Sequence, residues 1–345
     1  MRISKSEILA GLLSKSGLLH VLEIAAQRPC ILVLNYHRIG TPAGNRFDDK
    51  TFSANEQEFR TQLEYISGKF DLMTLEECVQ SADRKFPLTK PSVMITFDDG
   101  YKDSYDLALP ILREMGIPAT FFVSTDYISR RRLPWWDWIA YLIKKASGTA
   151  IKMDYPTSLN FDFSETGRSG VIQELLVIYK RHPNLDTERF LTHLEERCGF
   201  KGDCNAIIGD LFMSWDEVVE LTKNGMSVGS HTCSHPLLSK LTETEQRQEL
   251  VSSKNEIESH LNQECSSLAY PVGSPPPPSG AFSELTKRIA KEVGYRIAFS
   301  FYGGINRTAH ADPFDIYRIG VNYLDSLSLF KARTMLLASR GIFKF

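Results

Sequence analysis

The chain has no uninterrupted apolar run approaching the roughly 18 residues of a membrane-spanning helix. It has no excess of positive charge either, with 40 Lys+Arg against 42 Asp+Glu and a formal net charge of −2. A dedicated nucleic-acid binder needs a basic field to neutralise phosphates, so no nucleic-acid partner is expected. No CxxC pair occurs among the six cysteines, Cys30, Cys78, Cys198, Cys204, Cys233 and Cys265. Thiols scattered in this way fit a reducing compartment better than a disulfide framework, although Cys198 and Cys204 are close enough in sequence to bridge. Internal repeats are absent, and the one low-complexity patch is Pro275–Pro278, a stiff loop segment. At the N-terminus the apolar stretch Ile8–Leu13 is cut short by Ser14, Lys15 and Ser16, too soon for a secretory signal. The expectation is a cytoplasmic globular protein.

With 42% hydrophobic and 24% charged residues over 345 positions, the chain can build one large α/β barrel or two ordinary domains. Short β-branched runs alternate with helical patterns. Ile31–Tyr36 is apolar throughout, as a strand buried on both faces must be. Ser53 with Glu56 reads as a capping box opening a helix, and Val93–Phe97 is the next strand. Asp103–Met115 reads as a helix stopped by Gly116, ahead of a strand at Ala119–Ser124. Further capping boxes at Ser214/Glu217 and Thr242/Glu245 open two more helices, with a strand at Met226–Ser230 between them. Strands near Ser267–Tyr270, Tyr295–Ser300 and Tyr317–Val321 complete the alternation, which points to a parallel sheet, closed or nearly so. From about 126 to 212 the rhythm breaks, and this stretch reads as a largely helical insertion. Residues 1–28 and 326–345 read as amphipathic helices flanking a body at 29–325. Basic and apolar residues alternate in them, so association with a membrane surface is a candidate partnership.

Two features carry chemistry. Val93–Phe97 runs into Asp98-Asp99-Gly100, placing two carboxylates at the mouth of a buried strand, where they are costly unless compensated. Neighbouring side chains of a regular strand point to opposite faces, so both acids serve one site only if the chain leaves strand geometry, which Gly100 permits. One acid then binds a cation while the other is left as a base; the ordinary alternative is an Asp-Asp-Gly turn capping the next helix. The second feature is Ser230-His231-Thr232-Cys233-Ser234-His235-Pro236, with two imidazoles four residues apart just after another strand. That spacing suits a divalent metal, and two His with one Asp leave positions open, as a catalytic site requires. Cys233 points elsewhere in such a turn. Zinc is favoured by ligand type.

At these residues the sequence resembles the polysaccharide deacetylases of the NodB homology domain, carbohydrate esterase family 4. Thr96-Phe97-Asp98-Asp99-Gly100-Tyr101 is similar to the family's first motif and His231-Thr232-Cys233-Ser234-His235-Pro236 to its second, with Gly116-Ile117-Pro118-Ala119-Thr120-Phe121-Phe122-Val123 typical of the stretch between. The resemblance covers roughly Ile31 to Val321 apart from the insertion. It implies an α/β fold, a distorted (β/α)7 TIM-like barrel of the NodB type, that binds one zinc-like divalent ion and removes acetyl groups from N-acetylated sugars. By motif position, Asp99, His231 and His235 are implied as metal ligands and Asp98 as general base.

The third motif departs from the pattern. Leu268-Ala269-Tyr270-Pro271-Val272-Gly273 has Ala269 where an arginine buttressing the base is expected. Arg318, in Asp315-Ile316-Tyr317-Arg318-Ile319, is the candidate to reach in from another strand. The Val272 amide is a candidate oxyanion donor by position, and Tyr270, Val272, Trp135 and Arg318 make up the expected substrate side, with Trp135 stacking on a sugar ring or instead anchoring the insertion. The family's late histidine motif is missing. His37, ending the first strand, is the candidate general acid, as the similar Tyr-His start of the poly-N-acetylglucosamine deacetylase branch implies, with His310 as the second choice. The leading expectation is a metal-dependent N-deacetylase of an N-acetylglucosamine-containing glycan. The alternatives are a carbohydrate-binding pseudoenzyme and a deacylase of a non-sugar amide. Nothing in the sequence sets the oligomeric state.

Overall fold

Seven parallel strands form a closed ring in the order of the chain. They are β1 (Ile31–Tyr36), β2 (Ser92–Phe97), β3 (Ala119–Val123), β4 (Ser227–Ser230), β5 (Ser267–Ala269), β6 (Ile297–Ser300) and β7 (Ile316–Gly320). Each pairs in parallel with the next, and the last closes on the first, Val33 opposite Arg318 and Asn35 opposite Gly320. A short strand, Asp71–Leu72, pairs in parallel with the start of β2. This computed structural model describes residues 5–18, 20, 29–83, 88–182, 185–273, 280–307 and 312–339; His310, the Cys204 side chain and the proline run at 275–278 lie outside them.

Period-two alternation divides the strand side chains between two cores. Leu32, Leu34, Ile95, Phe97, Phe121, Leu268 and Ile319 belong to the larger core, together with residues of the surrounding helices. Ile31, Val33, Met94, Phe122, Ala269, Phe299 and Ile316 form the second core, which Met73, Leu75, Cys78 and Val79 join. Continuing that second register along the chain gives Asn35, Thr96, Asp98 and Arg318, all buried. Polar residues therefore follow an apolar filling toward the carboxyl ends of the strands, the end at which such barrels carry their sites.

The connections follow the sequence with instructive exceptions. Gly116 and Gly294 end their helices in the left-handed conformation (φ 65° and 95°), and the boxes at Ser214/Glu217 and Thr242/Glu245 close as expected. The helix Glu56–Ser67 is capped by Asn55 with Glu58 rather than by Ser53. Phe52–Ala54 pairs with Arg38–Ile39 instead, and Ser53 Oγ accepts the His37 amide at 3.0 Å. Among the described residues no helix joins β6 to β7.

The chain separates into two compact units, the barrel with both terminal helices (1–41, 50–129, 211–345) and a second unit of 42–49 with 130–210. The expected insertion at 126–212 is thus trimmed at both ends and recruits an earlier loop. It is mainly helical, with Trp135–Lys145, Phe163–Arg181 and Thr187–Cys198, but also holds an antiparallel hairpin of Ala150–Met153 with Leu159–Asp162. Among the described residues no helix is long and apolar enough to cross a membrane.

Candidate active site

The strand geometry breaks where two carboxylates must share a site. Asp99 has φ 72° and Gly100 φ 86°, so the chain turns out of β2 immediately after Asp98. Left-handed backbone at a non-glycine residue is sparsely populated and persists only where surroundings impose it. The same holds beyond β4, where Thr232 and His235 have φ 66° and 57°. The result brings Asp99 Oδ1 to 3.5 Å from His231 Nε2 and 3.4 Å from His235 Nε2. The three donor atoms lie within 4.8 Å of one another, and all three residues are buried.

The donor chemistry fits a divalent cation. His231 Nδ1 lies 2.7 Å from the Ala269 carbonyl, which can only accept, so Nδ1 carries the proton and the Nε2 lone pair faces Asp99. Burial lowers the pKa of His231, and burial together with the neighbouring His231 lowers that of His235 further, favouring the neutral imidazoles a metal requires. Three protein ligands leave coordination positions for water or substrate. Asp99, His231 and His235 would hold the ion.

Asp98 is held differently. Arg318 reaches it as a fork, Nη1 to Oδ1 at 2.6 Å and Nη2 to Oδ2 at 2.8 Å, and Asn35 Nδ2 donates to Oδ2 at 3.0 Å. Arg318 Nη1 also donates to Asn35 Oδ1 (3.1 Å) and its Nε to the Ser300 carbonyl (3.3 Å), while its guanidinium lies over the Phe122 ring at 5.5 Å. Burial pushes the Asp98 carboxyl up, but the charge of Arg318, followed by those of His231 and His37 and the Arg318 hydrogen bonds, holds it well below the usual carboxylate range. It is a fixed carboxylate, with Oδ2 at 3.6 Å from His231 Nε2.

His37 follows β1 at the same rim. Its ring meets Phe301 edge-on at 6.2 Å, and its charge bears on both Asp98 and His235. Val272 has φ 66°, an outlier for a β-branched residue, in the turn after β5. Next to it, a Cβ on Gly273 would strike Phe301 Cδ1 at 2.2 Å, so the turn admits only glycine there.

Three residues of the expected substrate side, Tyr270, Trp135 and Arg318, are buried. Tyr270 is buried, stacks on Phe282 at 4.0 Å and donates its hydroxyl to the Phe314 carbonyl at 3.0 Å, so it supports the turn and offers no face to a ligand. Trp135 is 8% exposed in the second unit, stacked on Tyr179 at 4.1 Å with Trp136 edge-on, which makes it a packing residue. Arg318 is 1% exposed and fully engaged with Asp98, Asn35 and Ser300, so it orients the Asp98 carboxylate. Asn35 was overlooked, although a lone amide inside the apolar run Ile31–Tyr36 signals it.

Glu249 was also overlooked. From the helix Glu243–Leu261 its Oε2 accepts the Cys233 and Ser234 amides (2.8 and 3.0 Å), and its Oε1 accepts the Ser234 hydroxyl (2.6 Å). It pins the loop that delivers His235, while Cys233 Sγ turns to the Glu249 carbonyl and away from the metal donors. Partners beyond the direct ligands typically contribute 10–100-fold to metal affinity. Glu249→Ala is therefore expected to weaken zinc binding by about that factor, measured by competition with a chromophoric chelator. Glu249→Gln, which keeps an acceptor for the two amides and a donor for the hydroxyl, should remain within a few-fold; equal losses in both would remove the loop-pinning role.

A parallel barrel here carries an Asp/His/His set that could hold a divalent cation, with a clamped carboxylate beside it. The polysaccharide deacetylase family model matches residues 85–298, and the chain belongs to that family. It is 23% identical over 275 residues to YxkH of Bacillus subtilis (strain 168), whose name carries polysaccharide deacetylase, covering 79% of this chain and 66% of that one. It is 37% identical over 111 residues to the poly-β-1,6-N-acetyl-D-glucosamine N-deacetylase of Staphylococcus epidermidis, covering 28% of this chain and 37% of that one. The chain thus spans just under two thirds of the first relative and little more than a third of the second. Among solved structures, the Streptococcus pyogenes deacetylase PplD shares the fold with a TM-score of 0.57 at 19% identity, over 90% of this chain and 98% of that one. The family match takes in Asp98, Asp99, His231 and His235; His37 and Arg318 lie outside it and rest on geometry.

Proposed function

We propose that the protein is a metal-dependent N-deacetylase that hydrolyses the acetamide of an N-acetylglucosamine-containing glycan, releasing acetate and a free sugar amine. The observation that carries this reading is the pairing of a three-donor metal set with an ionised Asp98 held 3.6 Å from one of the ligands. The names of the staphylococcal relatives support the sugar class. A divalent ion, zinc by ligand type, would supply Lewis acidity toward an acetamide carbonyl and an attacking water.

The chain's own groups do the rest. Asp98 accepts the proton of the attacking water; Arg318 and Asn35 fix both its oxygens, so it is ionised and aimed before substrate arrives. The Val272 N–H, turned by its left-handed backbone, is the candidate donor to the developing oxyanion. His37 donates a proton to the departing nitrogen, since an amide anion is not a viable leaving group. The binding-only alternative drew its support from Ala269 standing in place of an arginine, and the Arg318 fork disfavours it.

The test is acetate release from short N-acetylglucosamine oligomers of β-1,6 and β-1,4 linkage with added zinc. Release by wild type and a loss of about 10²–10⁴ in His37→Ala are expected, the range ordinary for a general acid. Wild-type turnover in His37→Ala would remove the acid assignment, and absence of acetate from every oligomer would remove the sugar reading.

A further inference from the structure

The N-terminal helix turns most of its large apolar residues outward. Lys5–Lys15 packs against the C-terminal helix Leu327–Ser339, and its one buried residue is Ala10. Glu7 is half-buried, accepting the Ser326 amide at 2.9 Å and the Ser326 hydroxyl at 2.5 Å. Leu13 packs against the core, but the other three large apolar residues go the other way: Ile8, Leu9 and Leu12 are 54%, 56% and 60% exposed. At 100° per residue these three share one face, and Lys5 and Lys15, both exposed, fall on that face at its two ends. Leu324 and Leu327, on either side of Ser326, add exposed apolar surface where the two helices are tied.

A helix stabilised only by packing on its own protein would turn its large apolar residues inward, whereas here three of the four face outward. Single exposed leucines are ordinary, but a grouped set on one helical face marks an interaction surface. The charges choose the occupant. The helix has one acid, Glu7, and it is turned away from the face and bound to Ser326, whereas both lysines flank the apolar residues. A second copy docking through this face would bring four lysines together, which is unfavourable. A bilayer with anionic headgroups meets the same face with complementary charge, the apolar residues entering the headgroup–acyl boundary. We propose that this face is a monotopic docking surface for anionic membranes. It is independent of the deacetylase reading.

The experiment is co-sedimentation of the full chain with vesicles of phosphatidylglycerol mixed with phosphatidylcholine, and with phosphatidylcholine alone. Wild type should bind the anionic vesicles, more weakly as salt rises. The triple variant Ile8→Gln/Leu9→Gln/Leu12→Gln, altered only at exposed positions, should lose binding at least about tenfold with an unchanged melting temperature. Lys5→Gln/Lys15→Gln should lose about fivefold per lysine on anionic vesicles. Wild type remaining in the supernatant with anionic vesicles would overturn the proposal. So would a wild-type dimer in light scattering that the triple variant converts to monomer, because a second copy would then be the occupant.

Discussion

Arg318→Ala is expected to destabilise the fold by about 3–5 kcal/mol, the usual consequence of leaving one member of a buried ion pair without the other. Both partners are buried (1% and 3% exposed), and the pair is bidentate, so little solvent screens it and water has no easy route to replace the guanidinium. Asp98→Asn strands the opposite charge and should cost a comparable amount, while also removing the proposed base and so lowering acetate release by about 10²–10⁴. The double variant Asp98→Asn/Arg318→Met separates the two effects. It should recover much of the lost stability, as apolar replacement of buried pairs often does, and none of the turnover. Urea midpoints give the first quantity and acetate release the second. A loss below about 1 kcal/mol in Arg318→Ala, the level of an exposed pair, would contradict the clamp.

The same pair fixes the sign of a pH dependence. In wild type the folded-state pKa of Asp98 is depressed, so its contribution to stability is present above the ordinary carboxylate value and is lost only as pH falls through the lower, folded value. Without Arg318 the burial that opposes ionisation loses its main counterweight and the folded pKa moves upward. The variant should therefore fall further behind wild type as pH rises from about 4 to about 8. Its kcat/KM should also lose activity on the acid side at higher pH than wild type. Identical acid limbs would mean that Arg318 does not govern the protonation of Asp98.

Removal of one metal ligand should have the largest effect on turnover. His235→Ala leaves Asp99 and His231, two donors where the site provides three. Zinc at a hundredfold excess over its Kd should stabilise wild type by about 2.7 kcal/mol, seen as a rise in melting temperature that His235→Ala abolishes. Acetate release should fall to background in that variant and in chelated wild type, and return in the latter on adding zinc. Full activity in chelated wild type would refute metal dependence without reference to any structure.

Much of the site was legible because its ligands arrive in two short runs. Asp98-Asp99-Gly100 and His231 through His235 each sit at a strand end, and a parallel barrel gathers its strand ends at one rim. The contact of Arg318 with Asp98 spans 220 residues. A lone arginine in the strand Ile316–Gly320 signals a buried partner but not which one. Glu249 was invisible for a different reason: on a helix rich in charge, nothing local separates the one carboxylate that caps a loop from those that face solvent. Aromatic identity left Tyr270 and Trp135 open, because a ring that stacks on sugar and a ring that fills a core have the same chemistry until burial is known. Ser53 illustrates competition at short range. A capping box was available to it, but strand pairing took it, and the better box lay two residues on at Asn55.

The guanidinium that steadies Asp98 comes from β7, the strand that shuts the ring against β1. Every metal donor is synthesised before it. A chain truncated before residue 318 would keep all three donors, yet Asp98 would lack its counter-charge and the barrel its seam. Closing the ring and placing the counter-charge of Asp98 are therefore one structural event, both carried by β7.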